Sequence, residues 1–151
     1  MSELKVLIEK ITEFGVNPEV EVKDKTNVLK RLLVEIYLEF LNVNFEFDES
    51  DYDDEPDFDY NEILKNVKSN FPDFGWYSSV LDSNKMEPNV EVGIEDELDD
   101  LADIIKDMLA VKWRMENTSE DDALWHFEFL MRVHSEQHMV NLLKRLKERS
   151  E

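Results

Sequence analysis

From Val28 to Leu41 apolar doublets recur every four residues, Val28-Leu29, Leu32-Leu33, Ile36-Tyr37 and Phe40-Leu41. Only a helix gathers that spacing onto one continuous face. The same three-four rhythm runs through Leu4, Leu7, Ile8, Ile11 and Phe14, where Gly15 and Pro18 supply a stop, and through Tyr60, Ile63, Leu64, Val67 and Phe71, closed by Pro72 and Gly75. A fourth stripe joins Ile94, Leu98, Leu101, Ile105, Met108 and Leu109, with acids in its first turn and Lys112 and Arg114 in its last, as a helix dipole favours. With three glycines and four prolines in 151 residues there is little material for the many turns of a β fold.

A last helix is expected after Asn117-Thr118-Ser119, where Ser119 to Asp122 resembles a capping box, and it runs to the basic end Lys144, Arg145, Lys147 and Arg149. Leu124, Trp125, Phe127, Phe129, Leu130 and Val133 point to nearly every side of it, which predicts a central helix. Asp24 or Thr26 is expected to cap the second helix, Val16 to Val22 to form a short extended stretch, and Trp76 to Leu81 to add one helical turn before a connection through Pro88. The expectation is a single all-α domain over residues 1–151, a bundle of about five main helices with a long C-terminal helix paired antiparallel to its predecessor.

The formal charge is −20, and residues 42–117 alone carry −16, from 22 acids against 6 bases. Such a field repels phosphates and anionic lipid, so direct nucleic-acid or membrane binding is disfavoured. Residues 46–59 hold nine acids and no base. Self-repulsion and Pro56 predict an acidic surface loop there, and Asp51, Asp53, Asp54, Glu55, Asp57 and Asp59 form a candidate surface for a basic protein. An EF-hand reading fails because the position that needs glycine is Pro56. No apolar run approaches the roughly 18 residues of a membrane span. The acidic start, unlike a secretion signal, and the absence of cysteine suit a cytoplasmic protein.

Two constellations could carry chemistry. Glu95, Asp99, Asp103 and Asp107 form a ladder at four-residue spacing, but counted round the wheel from Ile94 it faces away from the core and reads as a solvated face. His134 and His138 have the spacing that lets two imidazoles share a metal, yet no glutamate directly follows His134, as a zincin would require, and no Glu-x-x-His is present. They read first as half-buried histidines hydrogen-bonded to carboxylates. Glycine-rich phosphate loops and nucleophile elbows are missing, and the three tryptophans read as packing residues.

Asp99-Asp100-Leu101-Ala102-Asp103-Ile104, then Asp107, Ala123-Leu124-Trp125, Phe129, His134, His138 and the ending from Leu142 to Leu146 resemble a bacterial domain of unknown function, family 5063. The resemblance spans Trp76 to the end and departs at Ser135-Glu136-Gln137, where the family usually carries Trp-Gly. It implies a small helical protein with carboxylate to imidazole contacts between its last two helices. The leading functional expectation is a non-enzymatic interaction or regulatory protein with no cofactor and with its acidic middle turned to a basic partner. The alternative is a metal-dependent nucleotide hydrolase using a divalent metal with Asp99, Asp100, Asp103, His134 and His138.

Overall fold

The computed structural model describes residues 2–149. Helices α1 (Ser2–Val16), α2 (Lys25–Leu41) and α3 (Tyr60–Asn70) precede a hairpin of β1 (Trp76–Val80) and β2 (Val92–Asp96). Helix α4 (Glu97–Asn117) follows, then α5 (Glu120–Leu130), a π-helical turn (Met131–Ser135) and α6 (Glu136–Arg149), which run on as one helix of 30 residues. The helical bundle and its long C-terminal helix are therefore present, but the fold is not strictly all-α. Among the described residues no helix is long and apolar enough to cross a membrane.

The expected helical turn at Trp76 to Leu81 is a strand, paired antiparallel with β2 so that Trp76 faces Asp96, Ser78 faces Ile94 and Val80 faces Val92. Ile94 belongs to this sheet and is 72% exposed, so it starts no helical stripe. Helix α4 begins one turn later, where the Asp96 carboxylate accepts the Leu98 N–H at 2.9 Å. The hairpin is pinned at its root by Glu97, fully buried, which accepts the Gly75 N–H at 3.1 Å and an Arg149 N–H at 2.9 Å. Between α1 and α2, Val16 to Val22 forms no strand.

Helix α4 is the centre of the bundle. Leu101, Ile104, Ile105, Met108 and Val111 are wholly buried on it, and it packs on α1, α3, α5 and α6. The C-terminal helix is not buried all round, because Phe129 and Val133 are exposed and Trp125 stacks on Phe129 at 5.3 Å near the surface. Gly15 earns its place through close approach rather than by ending α1, since a Cβ there would come within 2.6 Å of Ile105 Cγ2. The carbonyls at the end of α1 are taken by buried side chains of α3: Asn66 donates to Gly15 O at 2.8 Å and Asn70 to Phe14 O at 3.0 Å.

The acidic loop has no regular structure, yet its acids are divided between the fold and the solvent. Arg114 is buried on α4 and donates to Glu55 at 2.5 Å and to Asp122 at 3.2 Å. Asp48 accepts the Ser119 and Tyr52 hydroxyls, and Asp59 caps α3 through the Asn61 N–H at 3.0 Å. Of the candidate interaction residues, Glu55 and Asp59 are thus committed internally, Asp57 lies 3.6 Å from Lys106 Nζ and Asp54 3.9 Å from Arg114, while Asp51 and Asp53 are exposed. The Ser119 hydroxyl holds the Asp48 carboxyl far below its usual range. Burial raises that of Glu55, but its own N–H and Arg114 outweigh this and leave it lowered.

Carboxyls lowered in the folded state stabilise it above their unfolded values, and that stabilisation fades as pH falls through the folded ones. Glu55→Gln should cost about 1–2 kcal/mol above pH ~5, by removing the ionic partner of buried Arg114. Thermal unfolding of wild type and variant across the acid range should show the gap between them closing as pH drops below about 4. A gap that stays constant would mean that Glu55 does not anchor the loop.

Candidate metal centre

Helix α4 and the C-terminal helix run antiparallel, so Arg114 meets Asp122, Asp107 meets His134, and Asp100 meets His138. Asp100 is wholly buried and accepts both the Tyr77 hydroxyl and His138 Nδ1, the latter at 2.8 Å. A carboxylate shielded from water has to find donors of this kind, and here a strand and a helix each supply one. Asp107 is the second such acceptor, taking His134 Nδ1 at 2.7 Å and the hydroxyl of buried Ser135 at 2.7 Å.

Neighbouring residues of an α-helix diverge by about 100°, so regular geometry makes it harder for His134 and Ser135 to converge on one carboxylate. The π turn resolves this. The Glu136 N–H reaches back to Met131 O, one residue beyond an α-helical partner, and the widened turn brings both side chains towards Asp107. Tyr37 on α2 donates to Glu136 at 2.6 Å and steadies the same turn from the other side. Ser135 therefore has a structural use in this chain.

Asp103 stands one turn along α4 between these pairs, with Oδ2 at 3.3 Å from His138 Nε2. Asp103, His134 and His138 each bring a ligand atom within 4.8 Å of the others, and the two imidazole rings meet edge to face at 4.8 Å. Since both Nδ1 atoms are held by carboxylates, the Nε2 atoms are the ones left for a ligand. Burial and then the charge of Asp99 raise the Asp103 carboxyl above its ordinary value, while the hydrogen bond to Asp100 raises His138. Burial and then the hydrogen bonds to Asp99 and Asp100 push the Tyr60 and Tyr77 hydroxyls up, so both phenols stay protonated as donors.

The expected solvated acidic face is overturned. Asp99, Asp103 and Asp107 are half-buried, and Glu95 lies on β2 rather than on the helix. The ladder does lie away from Leu101, Ile104 and Met108 on the wheel, but α4 is packed on several sides, so Asp99 is covered by Tyr60 of α3 and Asp103 and Asp107 by the C-terminal helix. Of the five candidate ligands, the structure brings Asp103, His134 and His138 together and gives Asp100 a supporting place behind His138. Asp99 is turned to Tyr60 on α3. Asp107 and Tyr77, absent from the candidate ligands, complete the network. Asp107 was visible as a rung of the ladder, whereas Tyr77 carried no signal.

Comparison with protein-family models, with curated proteins and with solved structures returns no match. The reading of the site therefore rests on its own chemistry. Tyr77→Phe removes a donor from a fully buried carboxylate and should cost about 1–3 kcal/mol in urea unfolding. His134→Ala, at a half-exposed ring, should cost less than about 1 kcal/mol. The reverse order would place the structural weight on Asp107 instead of Asp100.

Proposed function

We propose that the protein binds one divalent first-row metal ion between α4 and the C-terminal helix, with the Asp103 carboxylate and the Nε2 atoms of His134 and His138 as ligands. The observation that carries this reading is the 3.3 Å between Asp103 Oδ2 and His138 Nε2. Two ligands held at about 2.0–2.1 Å in tetrahedral geometry stand about 3.4 Å apart, so this edge already has the length a zinc-like ion requires. The third ligand atom, from His134, lies within 4.8 Å of the other two, on a side chain that is 42% exposed.

The supporting shell fits the same chemistry. A metal-bound imidazole commonly donates its other N–H to a carboxylate, which fixes its tautomer and raises its basicity, and Asp107 and Asp100 stand in that position. Asp103 gives a further reason: its ionised form is disfavoured by burial and by Asp99, and a bound cation relieves that cost. Two nitrogens and one oxygen suit zinc, manganese or iron better than calcium, which prefers six or more oxygens.

Three protein ligands leave a position for water, and metal-activated water is the entry to hydrolysis. Water on an ion held by these three residues would support a metal-dependent nucleotide hydrolase as the second reading. The field of Asp99, Asp100 and Asp107 works against an anionic nucleotide, so metal binding itself stands first.

Thermal unfolding with EDTA, Zn²⁺, Mn²⁺, Mg²⁺ and Ca²⁺ tests the proposal. At a hundredfold excess over the dissociation constant, Zn²⁺ or Mn²⁺ should stabilise by about 2.7 kcal/mol, a rise of several degrees, and His134→Ala and Asp103→Asn should abolish the rise. In EDTA, Asp103→Asn should leave the midpoint unchanged or higher, because the folded state disfavours that charge. No shift with any ion, together with an earlier melting Asp103→Asn, would identify a purely structural ion-pair network. Nucleoside triphosphate hydrolysis by the metal-loaded protein, lost in His134→Ala, would bring the hydrolase reading forward.

A further inference from the structure

The two-stranded sheet has one face on the protein and one face bare. Trp76 and Ile94 on the bare face are 74% and 72% exposed, and Val80 and Val92 continue it as a directly opposed pair. Isolated apolar side chains are ordinary on a surface, but four neighbours on one sheet face, including a tryptophan, form a patch of the kind found at interaction sites. Trp76 is thus no packing residue of the core. The patch contributes nothing to the fold that an exposed polar face would not.

Beside it, Trp76 and Ile94 border a depression of about 250 Å³ closed by Tyr60 from α3 and by Glu95, Asp96 and Asp99. Aromatic faces attract cations through their quadrupole, and carboxylates at the same rim add direct charge. Residues 76–99 hold seven acids and a single base, Lys85, already paired with Glu91. That balance opposes a second copy of this chain and an anionic lipid surface alike, and it favours a cationic partner. Among the described residues each strand also has one edge without a strand partner, available to an extended chain.

We propose that the bare face of the β1–β2 hairpin is a docking surface for an extended basic segment of a partner protein, in which Arg or Lys alternates with apolar residues. One cationic side chain enters the depression between Trp76 and the carboxylates, and the apolar side chains cover Val80, Val92 and Ile94. The basic partner expected for the acidic loop is thereby assigned to the hairpin, because there the carboxylates stand beside an exposed apolar face.

The test uses two decapeptides of equal charge, one alternating arginine with valine and one alternating arginine with serine, titrated into the full chain by fluorescence anisotropy. The valine peptide should bind about tenfold tighter, since a partly desolvated cation–π contact and apolar burial add on the order of a kcal/mol or more. Trp76→Ser and Ile94→Ser should each erase that preference with no loss of thermal midpoint, as both residues are exposed. Asp51→Asn with Asp53→Asn should weaken both peptides alike and keep the preference. Asp103→Asn should leave it intact too, which separates this surface from the metal centre. Equal affinities for the two peptides, a preference that survives Trp76→Ser, or a dimer in sedimentation that Trp76→Ser dissociates would overturn the proposal.

Discussion

Burying Asp100 sets the terms for much of this structure. A carboxylate with no access to water is tolerable only among donors, and its two donors come from the hairpin and from the C-terminal helix. The contact therefore fixes how far β1 folds back onto α4 and in which register α6 lies against it. Replacing Asp100 with an apolar residue of similar size could keep the packing, but the orientation of His138 would lose its cause. The hydrogen bond is more valuable as a specifier of geometry than as a source of net stability.

The arrangement of charge follows from the same need. A chain of −20 cannot gather its acids without partners, and the structure distributes them among a few donors. Arg114 collects Glu55 and Asp122, Arg149 meets Glu97, and hydroxyls of Ser119, Tyr60 and Tyr77 serve Asp48, Asp99 and Asp100. Five of the six bases in residues 42–117 lie on helices, and two of them, Lys106 and Arg114, reach the loop. The exposed tip at Asp51 and Asp53 stands outside this scheme.

The helices were legible because each buries a stripe of apolar residues at helical spacing, and the caps at Asp24 and Ser119 have the residue types that accept backbone N–H groups. The hairpin was not, for a physical reason. Its apolar residues face solvent, so the alternation that marks a strand reads against the burial it usually signals, and Ile94 happens to stand four and seven residues before Leu98 and Leu101. The acidic ladder lies opposite the main apolar stripe of α4, so a single-stripe reading makes it a solvent face, whereas a helix packed on several sides half-buries it. The histidine pair was found from spacing, but its partners needed the antiparallel register of two helices, and Ser135 needed the π turn, which no local propensity announces.

That turn has a consequence for how the chain can vary. A π turn amounts to one residue more than an α-helix of the same rise would use, so deleting one residue between Met131 and Ser135 would restore regular winding. The deletion would leave the flanking helical segments in phase with their neighbours while removing the simultaneous grip of His134 and Ser135 on Asp107. Helical regularity and site geometry thus make opposite demands over these five residues. Related chains of differing length at this point would be expected to sort into those that keep the extra residue with both side chains and those that lose it with the site.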